Sequence, residues 1–440
     1  AADPAAAVNK PVVCYSFAEC QQAMGYSDDF ENFTICQSMD ACFRVFNVAP
    51  IILVNVLDPS KSSHTTQNAE EECAVADGAV AYAKQFVLLD TIVVKNAEAT
   101  HAEDGTVTIT ILSEAAKEAE TLKVASTSLK PDGVTAADIV GGVDALTGKE
   151  TGLELVRQIY PRFGMTPGIL LAPGWSHNPA ALQAKTEGIN GNFDCVTYLD
   201  ISTDPEEDGA EVYTDVKTAK EALGATSPHA AALWPMGAVG DKVYYLSAMF
   251  AALTAYTDAN NADVPYESPS NKDLKITKTV LKDGTEVLLD QQQANDLLNA
   301  NGVITAINAN GYKAWGNNTA AYPSTTDPKD RWLAVRRFFD WDGNNFILTY
   351  FQKVDKPGNT RLIQSIVDSQ NIIGNGYVAR DYCAGYRTEF KSDENPITNL
   401  LDGHLTVHTY LAPYIPAEYI ENIREYDTEA LEAALTGGGE

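Results

Sequence analysis

The stretch PSTTDPKDRWLAVRRFFDWDGNNFILTYFQKVDKPG, residues 323–358, predicts a helix that docks on the core of the protein. Asp327 is a good N-cap, Pro328 suits the first helical position, and Asp330 stands where a capping-box acid reaches back to the cap. Apolar residues then recur at helical spacing, so one face of this helix is strongly apolar. That face comprises Trp332, Val335, Phe338 and Phe339.

A turn and a strand are expected after this helix. The pair Asp342-Gly343 combines two residues that favour turns, which predicts that the helix ends there. Residues 346–351 form a continuous run of apolar, aromatic and β-branched side chains, and such a run is typical of a strand that is buried on both faces. The stretch therefore predicts a compact unit of helix, turn and central strand.

Composition indicates an acidic globular protein of more than one domain. The 440 residues exceed one ordinary core, so several domains of about 100–200 residues are expected. The 60 acidic side chains against 31 basic ones give a formal net charge of −29, which argues against nucleic acid as a partner. No run of about 20 apolar residues occurs in the sequence, so no membrane insertion is expected. The seven cysteines lack a Cys-x-x-Cys pair, which indicates reduced core thiols in a cytosol.

The order of predicted elements indicates a multidomain α/β protein. Its expected core is a doubly wound mixed sheet, joined by a β-rich insertion domain and an α+β C-terminal domain. Residues 1–83 and 151–321 form the two parts of the α/β core, and residues 84–150 form the insertion. Residues 322–412 form the C-terminal domain, and residues 413–440 follow as a tail.

The core is predicted from strands and helices that alternate with short loops. Before the insertion, strands are expected at 11–15 and 50–57 around helices at 16–24 and 29–46, which is typical of a mixed or parallel sheet. After it, strands are expected at 168–171, 195–201, 230–234 and 303–308, with a buried helix at 244–257. Further helices are expected at 70–83, 359–374 and 375–386, and further strands at 88–94, 106–112, 121–125 and 405–411.

The best catalytic candidate is His177, because it follows a predicted parallel strand and ligands gather at the carboxyl ends of such strands. Together with Ser176 it supports an alternative function, a soluble α/β hydrolase. With Ser176 as nucleophile, His177 or His229 as base and Asp200 or Asp204 as acid could form a triad, but no Gly-x-Ser-x-Gly elbow frames the serine. A loop that caps the next helix explains the same residues without chemistry, so we expect no catalytic residue.

No cofactor or metal site is expected from the motifs. His404 and His408 are close in sequence, but on a straight strand they would lie about 13 Å apart, too far to share a metal. The sequence contains no phosphate-binding glycine loop of the Walker or dinucleotide type. Residues 203–209 are acidic but lack the alternating ligands of a calcium loop, so a solvated turn is favoured.

A cationic cluster lies in the stretch of residues 323–358. Its members are Lys329, Arg331, Arg336 and Arg337. One interpretation is a docking surface for an acidic partner, because complementary charges favour association. The alternative is pairing within the protein. The acids available for such pairing are Asp327, Asp330, Asp340 and Asp342.

Nine short segments form a recognisable set. Those in the second half are GVIT (302–305), GYKAWGN (311–317), DPKDRW (327–332), VRRFFDW (335–341) and FILTY (346–350). Those in the first half are VNKPV (8–12), GYSDD (25–29), VNVLDP (54–59) and APG (172–174). Together they resemble the sheath protein of contractile phage tails, most closely the sheaths of phages and prophages of Gram-positive bacteria. The resemblance covers nearly the whole chain, and it is most specific between residues 315 and 350.

The resemblance implies a structural polymer protein and not an enzyme. Sheath subunits stack as hexameric rings in a helical sheath around an inner tube, and they contract to drive that tube through a target envelope. The implied partners are other copies of the chain, the tail tube protein, and baseplate and tail terminator proteins. The implied location is the virion tail, assembled in the bacterial host cytoplasm. The core would be the subtilisin-like sheath domain, and the insertion would face outward.

Sheath subunits also carry terminal arms that add strands to the sheets of neighbouring subunits. In this sequence the C-terminal arm would lie beyond Pro413, with a linking strand around Tyr419, Ile420, Ile423 and Tyr426. The N-terminal arm would precede Val8, so we expect this chain to lack it. The resemblance would place the cationic residues Lys329, Arg331, Arg336 and Arg337 on the surface that faces the tube.

Overall fold

The N-terminal part of the chain forms a small strand pair with two helices between its strands. The computed structural model, which describes residues 1–95, 97–101 and 106–437, places here β1 (Val12–Cys14), α1 (Phe17–Met24), α2 (Ile35–Met39) and β2 (Ile51–Leu53). The helix α2 continues as a π-helix over Asp40–Phe46. The sequence predicted that these two strands belong to a larger mixed or parallel sheet. That prediction is wrong, because the helices between β1 and β2 reverse the chain and the two strands pair antiparallel with each other.

The ends of α1 follow the local signals in the sequence. The Ser16 hydroxyl accepts a hydrogen bond from the Glu19 amide at 3.3 Å, which caps the first turn. Gly25 ends the helix with a φ of 66°, and a Cβ at this position would lie 2.4 Å from the Asp3 nitrogen. Glycine is therefore required here both for the backbone conformation and for the close approach of the N-terminal segment.

The β-rich part is larger than the sequence predicts. Its elements are β3 (Thr65–Ala74), β4 (Ala79–Tyr82), β5 (Ala97–His101), β6 (Val107–Ile111), α3 (Glu114–Lys117), β7 (Thr121–Leu129), α4 (Ala136–Val140), β8 (Gly142–Val143) and β9 (Glu150–Thr151). The helix predicted at 70–83 is wrong, because β3 pairs antiparallel with β7 and β4 pairs with β6. Between these sheets lies a separate buried cluster that includes Val80, Tyr82, Val107, Ile109 and Val124. Strands upstream of residue 84 thus belong to this part.

The central region supplies the main sheet. Its elements are α5 (Ile159–Phe163), β10 (Ile169–Leu170), α6 (Pro179–Gln183), β11 (Val196–Asp200), α7 (Val216–Leu223), β12 (Ala230–Leu233), β13 (Met236–Val239), β14 (Lys242–Tyr244), α8 (Leu246–Asn260), β15 (Lys278–Val280), α9 (Gln291–Gln293), β16 (Val303–Asn308) and β17 (Tyr312–Trp315). The main sheet has the order β10-β11-β12-β16-β17. The first four strands run parallel and β17 pairs antiparallel, so the predicted mixed sheet is confirmed and contains strands at the four predicted places.

Apolar side chains cover both faces of this sheet. Along β12, Ala231 and Leu233 belong to one buried cluster, whereas Ala230 and Ala232 belong to another. Successive strand residues point to opposite faces, so the two clusters lie on opposite sides. The predicted buried helix is confirmed as α8, which packs in the first cluster through residues such as Met249 and Phe250.

The C-terminal region begins with the stretch on which the sequence analysis depends. Its elements are α10 (Pro328–Arg331), α11 (Leu333–Tyr350), α12 (Thr360–Ala379), β18 (Cys383–Glu389), α13 (Ile397–Leu401), β19 (His408–Pro413) and α14 (Thr428–Leu435). Asp327 caps α10 as predicted, by accepting a hydrogen bond from the Lys329 amide at 2.9 Å. Asp330 does not close a capping box, because its carboxylate contacts the Arg336 guanidinium.

The turn predicted at Asp342-Gly343 and the strand predicted at 346–351 are wrong, because α11 runs without a break to Tyr350. Tertiary hydrogen bonds hold the residues that indicated a turn. The Asn344 amide group donates to the Asp194 carbonyl at 2.7 Å and accepts from the Asp194 amide at 3.0 Å. The Tyr386 hydroxyl donates one hydrogen bond that the two Asp342 carboxylate oxygens share, at 3.2 and 3.0 Å. The helix therefore continues through an exposed Gly343.

The helix predicted at 375–386 is also wrong, since α12 continues past two glycines and the chain then forms β18. Gly374 is needed for packing rather than as a helix end. A Cβ at Gly374 would lie 2.0 Å from Cδ1 of Tyr386, so the missing side chain lets β18 approach α12 closely. Among the described residues, no helix has the combined length and hydropathy that a membrane crossing requires.

Candidate interaction site

The residues of the hydrolase alternative are not arranged for catalysis. Ser176 is buried, and its Oγ accepts a hydrogen bond from the Asp200 amide at 2.8 Å. The Asp200 carboxylate accepts hydrogen bonds from the amide and hydroxyl of Ser247, at 2.8 and 2.5 Å. His177 is exposed and its ring lies 5.5 Å from the Trp175 ring. These contacts tie the loop to the end of β11, whereas Asn178 precedes α6 without a side-chain capping hydrogen bond.

His229, the other candidate base, belongs to a buried ionic network. Its Nδ1 lies 3.2 Å from Oδ2 of Asp340, and its Nε2 lies 3.1 Å from Nη1 of Arg336. Burial lowers the pKa of His229, but the Asp340 carboxylate outweighs burial and leaves that pKa above its usual value. Within the part of the chain that the structure describes, no group of three or more His, Cys, Asp or Glu side chains is placed to hold a metal.

Two members of the cationic cluster lie inside the subunit. Arg337 is 7% exposed, and both of its terminal nitrogens contact the Asp258 carboxylate, Nη1 at 3.1 Å. Burial alone would lower the pKa of the Arg337 guanidinium, but the adjacent Asp258 carboxylate raises that pKa above its usual value. Arg336 is 8% exposed and contacts Asp330 and Asp340. For these two arginines the structure favours the alternative of pairing within the protein.

The other two members remain accessible. Lys329 is exposed, and its Nζ lies 5.9 Å above the Phe339 ring. Arg331 is half-buried, and its guanidinium lies over the rings of Tyr322 and Trp332. Its Nη2 donates a hydrogen bond to Oε2 of Glu418 at 3.2 Å. Arg331 thus holds the point where the C-terminal segment leaves the subunit.

The C-terminal segment beyond Glu418 projects from the subunit. The four residues of the predicted linking strand, Tyr419, Ile420, Ile423 and Tyr426, are between 74% and 85% exposed. Residues 414–427 have no regular secondary structure, so their extended backbone is open to pairing. Four large apolar side chains so close together on a surface make this segment a candidate interaction site. The linking strand stays a prediction, and the exposure of these residues supports it.

A small sheet near this segment has the properties of an acceptor. β18 and β19 form an antiparallel ladder in which Tyr386 pairs with Leu411 and Thr388 with Thr409. The strand β18 packs against α12, where Gln370 and Asn371 contact it. In the described part of the chain this sheet has two strands, so both outer edges stay without a third strand. An exposed edge is a template for a further strand.

Similar proteins decide between the two functions that the sequence proposed. No family model matches the chain. The tail sheath protein of Burkholderia phage BcepMu is 27% identical over 457 residues, covering 99% of this chain and 92% of the relative. A prophage major tail sheath protein of Pseudomonas aeruginosa is 32% identical over 207 residues, covering 46% and 49% of the two chains. This chain is a tail sheath homologue. The resemblance inferred from its nine segments is confirmed.

A solved structure has a similar fold as well. A chain in the contracted baseplate of the anti-feeding prophage has a TM-score of 0.58 and 13% identity, covering 97% of this sheath homologue and 92% of that chain. At this identity the likeness concerns the fold, a mixed α/β architecture with several sheets. The named relatives are tail sheath proteins and indicate no enzyme family, so they support a structural role in a tail sheath and not the hydrolase alternative. The closer likeness to sheaths of Gram-positive phages stays a prediction.

Sequence reasoning missed the partners that lie far along the chain. Asp258 is 79 residues from Arg337, and Glu418 is 87 residues from Arg331. The only signal in the sequence was an excess of acids near the arginines, which names a kind of partner but not its position. Only the folded chain brings these pairs together.

Proposed function

We propose that this chain is the repeating subunit of a contractile tail sheath. It stacks as hexameric rings around an inner tube and contracts to drive that tube through a target cell envelope. The observation that carries this proposal is similarity to a phage tail sheath protein over 99% of the chain, together with a C-terminal segment that is exposed and apolar. The sheath would belong to the virion tail and assemble in the host cytoplasm.

In the proposed assembly, residues 419–426 of one subunit add as a strand to the β18–β19 sheet of a neighbour. An added strand gains main-chain hydrogen bonds, and pockets for its side chains set the register. Such a ladder holds two subunits together while their globular parts rotate as rigid bodies, which contraction requires. The Arg331–Glu418 contact would define the direction in which the linking strand leaves its own subunit.

Lys329 and Arg331 are the members of the cationic cluster that remain as candidates for the tube-facing surface. Both lie at α10, and Lys329 is exposed there. In a chain with a formal net charge of −29, an exposed cationic site would favour an acidic patch on the tail tube protein. Baseplate and tail terminator proteins are the partners proposed for the two ends of the sheath.

Electron microscopy of the full chain tests this function. We expect the purified protein to form hollow helical tubes in negative stain, and deletion of the residues after Pro416 to leave soluble monomers. Leu146→Asp is a matched control, because Leu146 is 98% exposed at a hairpin tip far from the C-terminal segment in sequence. A wild-type chain that stays monomeric at high concentration and with tail tubes present would overturn the sheath function. Tubes formed by the truncated chain would overturn the linking strand alone.

A further inference from the structure

The terminal helix α14 lacks the support that a short helix needs. It has eight residues, and all of them are exposed. Its cap is local, since the Ala430 amide donates to the Asp427 carboxylate at 2.9 Å. Isolated helices shorter than about 12–15 residues are marginal in water, because nucleation costs more than a few hydrogen bonds return. We therefore expect α14 to be stabilised by contact with another surface.

The apolar and acidic residues of α14 define what that surface must offer. Leu431 and Leu435 are spaced i and i+4, so they lie on one side of the helix, and Glu432 flanks them. The surrounding segment is acidic, with Arg424 as the one cation between residues 418 and 432. The acids in that range are Glu418, Glu421, Glu425, Asp427, Glu429 and Glu432. A suitable surface is therefore apolar with cations at its rim.

Such a surface lies on the C-terminal region itself. We define the C-terminal patch as the exposed apolar residues Phe351, Val354, Ile397, Leu401 and Leu405. The first four are 63–79% exposed. Phe351 begins a 3-10 turn that ends at Lys353, and Val354 follows as its cap. Ile397 and Leu401 share a face of α13 at i and i+4. The segments that follow the two groups approach each other at Gly358, where a Cβ would lie 3.6 Å from Cδ1 of Leu405.

Cations border the C-terminal patch. Residues 351–361 carry three cations and one acid, although the chain as a whole has a formal net charge of −29. Lys353 donates a hydrogen bond to the Ser365 hydroxyl. Lys356 and Arg361 are exposed, and neither forms an ion pair with another described residue. The patch thus complements α14 in both apolar surface and charge.

We propose that α14 of one subunit docks through Leu431 and Leu435 on the C-terminal patch of a second copy of this chain. Glu432 then lies beside the cations at the rim. The inference rests on the proposed function, because it requires that copies of the chain associate. It adds a second contact beyond the linking strand, so deletion of residues 428–437 should weaken assembly, whereas deletion of the residues after Pro416 should abolish it.

Substitutions at exposed positions in the full chain test this contact. We expect Leu431→Asp and Leu401→Asp each to raise the protein concentration needed for assembly about tenfold, which is the effect of losing one well-buried leucine. The control Leu146→Asp should leave that concentration unchanged. Arg361→Glu should also weaken assembly, and Glu432→Arg in the same chain should restore part of it. Circular dichroism should show all these variants folded, because each replaced side chain is largely exposed.

The outcomes separate this contact from the sheath function. If the wild type forms tubes, and Leu431→Asp and Leu401→Asp form them at the same concentration as the control Leu146→Asp, the docking of α14 is wrong and the sheath function stands. If only Leu431→Asp weakens assembly, α14 docks elsewhere and the C-terminal patch is the wrong surface. Slow amide exchange of residues 429–435 in the isolated monomer would place α14 on its own subunit and overturn the proposal. If the wild type never assembles, the sheath function fails first and this contact with it.

Discussion

Replacing Arg337 with methionine is expected to destabilise the folded subunit by about 3–5 kcal/mol, because the substitution leaves the Asp258 carboxylate without its partner. The side chains of Arg337 and Asp258 are 7% and 17% exposed, so water does not replace the lost contact. Methionine fills much of the same volume, and the loss therefore reports on charge rather than on a cavity. By the same reasoning, reversing the charges of Arg336 and Arg337 together is expected to unfold the subunit instead of only weakening assembly.

Two further variants make this measurement specific. In Arg337→Met/Asp258→Leu neither charge remains, so we expect most of the lost stability to return, as it does when buried ion pairs are replaced by apolar residues. Lys329→Met changes an exposed cation in the same region, and its effect should stay within about 0.5 kcal/mol. The comparison thus separates a buried pair from a surface charge.

Urea unfolding followed by tryptophan fluorescence measures these free energies of unfolding. A clear fall in the midpoint for Arg337→Met, with recovery in the double variant, is the expected result. Equal midpoints for Arg337→Met and Lys329→Met would refute the reasoning, because Arg337 would then not be paired in solution. That result would return Arg337 to the candidates for the tube-facing surface.

Three further predictions concern packing, pH and the base of the C-terminal segment. Gly374→Ala should lower the free energy of unfolding by about 1–3 kcal/mol, since the new Cβ would overlap the Tyr386 ring. Gly376 has open space around it, so Gly376→Ala should leave the free energy of unfolding unchanged or raise it by up to about 1 kcal/mol through helix propensity. Equal urea midpoints for the two variants would contradict the close packing of β18 on α12. Burial raises the pKa of Asp200 to about 6, above its ordinary value of 3.8. The folded subunit therefore holds the Asp200 proton more tightly than the unfolded chain does. The stability that this carboxyl group contributes is fully present below pH 3.8 and is lost as pH rises through about 6. Asp200→Asn should therefore flatten the dependence of the unfolding temperature on pH between about 4 and 7, and a wild-type slope would count against this. Arg331→Met removes a partly exposed ion pair and should change stability by less than about 1 kcal/mol, yet it should weaken tube assembly by releasing Glu418; unchanged assembly would show that the pair does not direct the linking strand.

Local patterns were sufficient where the physics is local. Ser16 and Gly25 predict both ends of α1, and Asp327 with Pro328 predicts the start of α10, because capping depends on a few neighbouring residues. The strands of the main sheet were predicted because strand and helix segments alternate along this part of the chain with short loops between them. The resemblance to a known family also pointed to the C-terminal segment as a linking strand, which stays a prediction.

The stretch of residues 323–358 shows where such patterns stop. By itself the sequence determined that an apolar helix starts near Asp327, that the chain is an acidic α/β protein, and that it resembles tail sheath proteins. Only the tertiary structure decided that this helix ends at Arg331 and that a second helix, α11, begins at Leu333 and passes Gly343. Asp194 and Tyr386 bind the polar residues beside Gly343 from distant parts of the chain. The same is true of Arg336 and Arg337, whose charges are paired inside the fold while Arg331 holds Glu418 at the surface. The sequence shows the sign of each charged side chain. Its partner depends on which distant residues the fold brings within a few ångströms of it.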